Sequence, residues 1–127
     1  MVIYHGAPIE RKQDIIKSGL RKRFSQWKPR RVFLTTDFEA AKFYAVLASS
    51  VLHPDHIQNT LDYAKYTGRV VIFKIKISKT ELHLDQCLDN CWQDRRTPHS
   101  FYVLRDIPPD SIVTSTLHRH TVIYHCL

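Results

Sequence analysis

The chain lacks most of the features that mark a specialised class of protein. It has 127 residues, with only three glycines and one methionine, and it contains no internal repeat or low-complexity segment. No apolar run approaches the roughly 18 residues that span a bilayer. The N-terminal residues have neither the basic start nor the long apolar stretch of a secretory signal. We expect one domain over residues 1–127, without a membrane segment.

Cysteine is equally scarce. Three cysteines, an odd number, do not make a disulfide framework, so we expect a reducing, intracellular and cytoplasmic setting, with delivery into another cell left open. His83, Cys87 and Cys91 share the spacing of one helix face, and His99 is near in sequence. This spacing matches no common zinc motif, and buried cysteines are the simpler interpretation, so we predict no metal site.

The sequence does contain a concentration of positive charge. The formal net charge is +7, and the segment from Glu10 to Arg31 alone accounts for it, because nine basic residues there face two acidic ones. Such a patch attracts polyanions, although a solvated loop is the alternative interpretation. Phe24 and Trp27 favour base stacking or a partner surface. The residues expected to bind the target are Arg21, Lys22, Arg23, Trp27, Arg30 and Arg31.

Local patterns in the first half of the chain predict two helices between short strands. The second helix has a broad face of small residues that suits close packing on a sheet, and either Thr36 or Asp37 suits its N-cap. The predicted elements are a strand at 2–4, a turn at His5-Gly6, a helix from Pro8 to a C-cap at Gly19, a loop at 20–30, a strand at 31–35 and a helix at 38–52.

The second half of the chain is predicted to be rich in strands. Residues 56–66 suggest a further helical piece that ends at Gly68. Residues 69–77 are predicted to form a strand, and from Val71 to Ile77 the odd-numbered side chains are all apolar, so one side of this strand is predicted to face the core. Further strands are expected at 101–104 and 121–126. This order of elements predicts an α+β fold.

Several short segments, in this order, resemble the ADP-ribosyltransferase superfamily. They are Tyr4-His5-Gly6, Ile16 to Leu20, Val32 to Thr35, Asp37 to Ala45, and Phe101 to Ile112 with its Pro-Pro turn. The closer match is the branch with a His-Tyr-Glu constellation, which includes poly-ADP-ribose polymerases, rifampicin-inactivating transferases and DNA-modifying toxins. RNA 2'-phosphotransferases are more distant relatives. The resemblance implies a single ADP-ribosyltransferase-like domain with split antiparallel sheets and NAD+ as the cofactor.

The resemblance also implies roles for individual residues. Gly6 would pair with the nicotinamide amide, His5 would hold the adenosine-side ribose, and aromatic rings would frame the nicotinamide. Phe33 stands where the family more often has tyrosine, so the stacking face is kept and the hydroxyl is lost. The implied cofactor-binding residues are Tyr4, His5, Gly6, Phe33, Thr35 and Tyr44, and the implied catalytic residues are His5, Tyr44 and Ser100.

The sequence departs from the family at the catalytic carboxylate. That glutamate binds the nicotinamide-ribose hydroxyl and stabilises the transition state electrostatically, whereas Ser100, which matches its position, carries no charge. Another acid, Asp85, Asp89 or Asp106, would have to replace it, or the chemistry relies on histidine and arginine as in the phosphotransferases, or the site only binds. The first expectation is a mono-ADP-ribosyltransferase that modifies DNA, RNA or a protein. The alternatives are a non-catalytic module that binds nucleic acid or protein, and an RNA 2'-phosphotransferase.

Overall fold

The computed structural model describes residues 1–24, 29–59, 63–85 and 100–125. Two α-helices and seven strands lie in this part of the chain, which confirms the α+β class. Here too, no helix is long and apolar enough to cross a membrane. The elements are β1 (Val2–Pro8), α1 (Lys12–Ser18), β2 (Val32–Thr35), α2 (Phe38–Leu52), β3 (Ile57–Asn59), β4 (Tyr63–Lys76), β5 (His83–Leu84), β6 (Ser100–Val103) and β7 (Ile112–His125).

The described strands form one antiparallel sheet instead of the split sheets that the resemblance implies. Its order is β3-β4-β1-β2-β6-β5, and β7 pairs with β4. Because β7 follows β4 along nearly its whole length, β1 and β3 share the other edge of β4 end to end. Within the fully described strands β1 and β2, a single residue pair, Tyr4 with Thr35, joins the two. The sheet is therefore continuous but weakly joined at this point.

β1 is longer than the sequence predicts. His5 and Gly6 lie inside the strand, opposite Phe73 and Ile72 of β4, so the prediction of a turn at these residues is wrong. Gly6 meets a packing requirement there, since a Cβ at this position would lie 2.0 Å from the main-chain oxygen of Ala41 in α2. A glycine in a strand often marks such a close approach of another backbone.

The start of α2 and the C-terminal end of α1 lie where local signals predict. Asp37, rather than Thr36, caps α2, because its carboxylate accepts a 2.9 Å hydrogen bond from the Ala40 N–H. The predicted bounds of α2 are confirmed. α1 follows a 3-10 turn at Ile9–Arg11 and ends at Gly19, whose φ of 78° is the left-handed conformation that favours glycine at a C-cap.

The prediction for residues 56–66 is wrong. A 3-10 turn at Pro54–His56 leads into β3 and then, beyond three residues outside the described part, into β4, so the described residues of this stretch are extended from Ile57 onward. β7 likewise begins at Ile112 instead of 121. β4 and β7 pair with each other from Tyr63 to Ile75, and this long-range pairing overrides a local pattern that carries no strand signal.

Apolar side chains are buried on both faces of β4, whereas the sequence predicted one. The odd-numbered face of β4 joins a cluster that includes Ile15 of α1, and the even-numbered residues Val70 and Ile72 pack under α2. The first cluster consists of Ile3, Ala7, Ile15, Leu20, Val32, Leu34, Val71, Phe73, Ile75, Ile77, Val103 and Ile107. The second consists of Ala41, Ala45, Val46, Tyr66, Val70 and Ile72. The sheet thus forms a middle layer between α1 and α2.

Candidate functional site

A cavity of about 410 Å³ opens where β1 and β2 diverge, beside α2. Its volume lies in the range of about 300–1,000 Å³ that is usual for small-molecule sites. Every residue predicted for cofactor binding or catalysis lines it: Tyr4, His5, Gly6, Phe33, Thr35, Tyr44 and Ser100. The remaining lining residues, which the sequence did not single out for this site, are Ala7, Pro8, Arg11, Phe24, Leu34, Ala41, Leu47 and Ala48.

His5 is held in one tautomer at the point where β1 and β2 diverge. Its Nδ1 lies 2.7 Å from the carbonyl oxygen of Phe33, and because a carbonyl only accepts, Nδ1 carries the hydrogen. Burial lowers the pKa of His5 from 6.5 to about 4; the Phe33 carbonyl opposes this shift and the charge of Arg11 adds to it. At neutral pH the ring is therefore uncharged, and Nε2 is available to accept a hydrogen bond from a hydroxyl.

Tyr4 and Thr35, the pair that joins β1 to β2, are both anchored at the start of α2. The Tyr4 ring meets Phe38 edge to face, with 5.4 Å between the ring centroids. Thr35 is buried, and its hydroxyl accepts a 3.1 Å hydrogen bond from the N–H of Asp37, the cap residue of α2. The single ladder pair between these two strands is thus also in contact with the start of the helix.

Tyr44 and Ser100 meet across the cavity from α2 and β6. Their hydroxyl oxygens are 3.1 Å apart, and Ser100 is buried opposite Thr35 in the β2–β6 ladder. Phe33 lies two residues before Thr35 in β2. It pairs with Tyr102 of β6 and lines the cavity. Histidine, tyrosine and serine from three separate segments therefore line the same space.

Of the three candidate replacement acids, Asp85 lies beside Ser100. The N–H of Asp85 donates a 2.9 Å hydrogen bond to the Ser100 carbonyl, and Asp85 is itself buried. Continuing the β5–β6 register, in which Leu84 lies opposite Phe101, puts Asp85 across from Ser100 on the same side of the sheet. The Asp106 carboxylate instead accepts the Lys22 N–H at 2.8 Å, and Asp89 lies outside the described residues.

A second cavity of about 110 Å³ adjoins the first and is rich in arginine. The two cavities share His5, Arg11, Phe24 and Phe33 as lining residues. The smaller one is also lined by Arg21 and Arg31, two of the residues predicted to bind the target. Arginine is the side chain best suited to phosphate oxygens, and three arginines line this one small space, although the Arg31 guanidinium also lies 4.2 Å from the centre of the Tyr102 ring.

The other predicted target-binding residues lie on the protein surface where they are described. Lys22, Arg23 and Arg30 are exposed, and Arg30 donates to the Arg23 carbonyl at 3.2 Å. The guanidinium groups of Arg11 and Arg23 lie 4.1 and 4.8 Å from the centre of the exposed Phe24 ring. Trp27 lies outside the described residues. Phe24 is therefore an arginine-flanked aromatic at the rim of both cavities.

The cysteine-containing group weighed as a metal site is only partly described. His83 lies in β5 and stacks on Tyr102, with 5.1 Å between the ring centroids. Cys87, Cys91 and His99 lie outside the described residues.

No family model and no curated protein matches the chain. Among the lining residues of the larger cavity, Arg11 and Phe24 belong to no motif, and only their position in the folded chain brings them to the site.

Proposed function

We propose that this chain is an ADP-ribosyltransferase-like domain that binds NAD+ in the cavity between β1, β2 and α2. It would transfer ADP-ribose to a macromolecule, either a nucleic acid such as DNA or RNA, or a protein. One observation carries the proposal: the residues implied by the resemblance come from four separate segments, and all of them line one cavity. A chance series of short motifs has no reason to converge in this way.

The shape and charge of the two cavities support NAD+ as the ligand. Phe33 and Tyr44 offer aromatic rings, and the small side chains of Ala41 and Ala48 leave room for a flat nicotinamide. The adjoining cavity holds arginine side chains that suit a pyrophosphate, including Arg31. The ligand would therefore extend from an apolar slot to a cationic one.

The lining residues divide the chemical work. NAD+ supplies an electrophilic ribose carbon and nicotinamide as the leaving group. His5 is uncharged at neutral pH, and its Nε2 would accept a hydrogen bond from a ribose hydroxyl. The hydroxyls of Tyr44 and Ser100, which are hydrogen-bonded to each other, line the other side of the cavity. Asp85, which is not among the lining residues of the cavity but whose N–H donates to the Ser100 carbonyl, would supply the negative charge that Ser100 lacks.

Transfer from labelled NAD+ tests this function. The purified chain is incubated with NAD+ labelled in its adenylate part, together with DNA, RNA or cell-lysate protein, and both label transfer and nicotinamide release are measured. We expect both, and expect Asp85→Asn to lower the rate by roughly 10²–10³-fold with NAD+ binding retained. Asp106→Asn, which removes a carboxylate away from Ser100, is the matched control. Absence of both transfer and release contradicts the enzymatic proposal.

A binding module without catalysis is the second candidate. The uncharged Ser100 and the arginine-flanked Phe24 favour it. In that case, replacing Arg21, Arg23 and Trp27 together by alanine abolishes nucleic-acid binding, while His5→Ala leaves it intact. Loss of function through His5→Ala alone excludes this candidate.

Removal of an RNA 2'-phosphate with NAD+ is a third candidate, favoured by the arginines beside His5. Arg31 lines the adjoining cavity, together with Arg11 and Arg21. Arg105, a further candidate from the sequence, instead donates to both carboxylate oxygens of Glu81 at 2.8 and 2.9 Å. An oligonucleotide with one internal 2'-phosphate separates the reactions, because only this activity releases the phosphate from the RNA.

A further inference from the structure

Two histidines and two acidic residues lie together where α2 ends. Pro54 begins a 3-10 turn in which the His56 N–H donates to the His53 carbonyl at 3.1 Å. Side chains three residues apart eclipse each other in a 3-10 turn. The His53 and His56 rings accordingly stack, with 4.9 Å between centroids and 14° between ring planes. The turn thus presents two imidazoles side by side.

Carboxylates on both sides complete the group. The potential ligand atoms of His53, Asp55 and His56 all lie within 4.8 Å of one another. Glu10, from the 3-10 turn that follows β1, brings its Oε1 to 2.5 Å from Nε2 of His53. Residues from two segments 43 positions apart in sequence therefore meet at one point. Asp55 in turn lies close to His56, with 3.9 Å between its Oδ2 and Nε2 of His56, so two carboxylate–imidazole contacts stand side by side.

The distances fit an ion after a small closure. Zinc binds imidazole nitrogen and carboxylate oxygen at about 2.0–2.2 Å, which sets neighbouring ligands about 3.3 Å apart in a tetrahedron. The ligand atoms of His53, Asp55 and His56, up to 4.8 Å apart, must then approach by at most about 1.5 Å. Glu10 is outside this group of three and reaches the ion through its contact with His53. Asp55 and His56 are exposed, so their side chains can turn toward an ion, and His56 leaves its stacked position on His53 when it does so. Glu10 and His53 separate as both turn toward the ion.

We propose that Glu10, His53, Asp55 and His56 form a binding site for Zn²⁺. Two imidazoles and two carboxylates are a donor set that Zn²⁺ accepts, and the carboxylates balance its charge. The ion ties the turn after β1 to the end of α2. Pro8 and Arg11, which flank Glu10 closely in sequence, and Ala48 of α2 line the larger cavity. Zinc therefore fixes two of the cavity walls relative to each other.

Zinc titration of the full chain tests the site without NAD+. After treatment with chelator and dialysis, the protein is titrated with ZnCl₂ by calorimetry and with Co²⁺ by visible absorption. We expect saturable binding of a single ion and a tetrahedral Co²⁺ spectrum with nitrogen and oxygen ligands. His56→Gln and Asp55→Asn should each weaken binding by at least about tenfold. Zinc should also raise the melting temperature of the wild type more than that of either variant.

The chain provides a matched control for these variants. Asp110 follows a proline in the 3-10 turn Pro109–Ser111, as Asp55 follows Pro54, but without flanking histidines. Asp110→Asn and His83→Gln should leave zinc binding unchanged. Equal affinity in the wild type and His56→Gln overturns the proposal, as does the absence of saturable binding. A thiolate-to-cobalt band in the Co²⁺ spectrum also overturns it, because the ion then resides on cysteine. None of these outcomes depends on the transferase activity.

Discussion

The two edges of β1 have opposite properties. One edge pairs with β4 at seven positions, from Val2 with Lys76 to Pro8 with Val70. The other edge pairs with β2 at the Tyr4–Thr35 position alone, and a cavity opens beyond it. A strand can therefore be anchored along its whole length on one side while its other side remains open to a ligand. One edge of these seven residues therefore contributes to stability, and the other lines the space for a ligand.

The largest loss of stability is expected from a substitution at the edge of β1 that pairs with β4. Phe73 is fully buried opposite His5, so Phe73→Ala should reduce the free energy of unfolding by about 3–5 kcal/mol in urea denaturation. Phe33→Ala, on β2 at the open edge, removes a half-buried ring and should cost at most about 2 kcal/mol. Equal losses of unfolding free energy for the two variants would show that both edges of β1 contribute equally to stability.

The next effect is the pH dependence of His5 at the open edge. Its pKa is about 4 in the folded chain against 6.5 for an ordinary histidine, so only the unfolded chain binds this proton between those values. Stability should fall as the pH drops from 6.5 to 4 and level off below that, by at most about 3 kcal/mol. Denaturation at several pH values, compared with His5→Gln, isolates this contribution. The same slope in both proteins contradicts it.

Gly6→Ala examines the packing of β1 against α2. The added Cβ meets the Ala41 main-chain oxygen at 2.0 Å, so the helix must shift, at a cost of about 1–3 kcal/mol. The same change at Gly68 meets the Tyr66 ring at 2.8 Å, and we expect a smaller loss because the nearest neighbour is a side chain. Thermal unfolding of both variants gives the comparison. A smaller loss at Gly6 than at Gly68 is the contrary result.

The smallest effect concerns the hydroxyl pair inside the cavity. Ser100→Ala removes one partner of the 3.1 Å contact with Tyr44 and should cost about 0.5–1.5 kcal/mol of stability. A double-mutant cycle with Tyr44→Phe isolates the coupling between the two hydroxyls. Additive losses would mean that the pair contributes no coupling energy at the open edge.

Elements with strong local signals could be predicted from the sequence. The bounds of α2 follow from a capping aspartate at its start and Pro54 just past its end. Gly19 ends α1 because only glycine enters the left-handed region without strain. Residues 57–59 and the beginning of β7 were missed, because their conformation depends on strands distant in sequence.

The candidate site divides in the same way. Residues in the motifs, such as His5 and Tyr44, were predictable because the resemblance names them. Arg11 reaches the cavity only through the 3-10 turn after β1, and the position of Asp85 beside Ser100 depends on the β5–β6 register. Neither relation is encoded in a local pattern. The glycine at position 6 was predicted as a turn residue, whereas its function in the fold is to admit α2.

The position of β1 in the sheet has a consequence for biosynthesis. Its main partner, β4, follows only after α1, β2, α2 and β3, so Val2 cannot pair until Lys76 has been synthesised. Because pairing over such a separation closes a long loop, the domain should fold slowly for its size. On the ribosome, the edge of β1 that pairs with β4 stays unpaired until β4 is made. A stalled or truncated chain that ends before β4 would therefore expose this strand to aggregation.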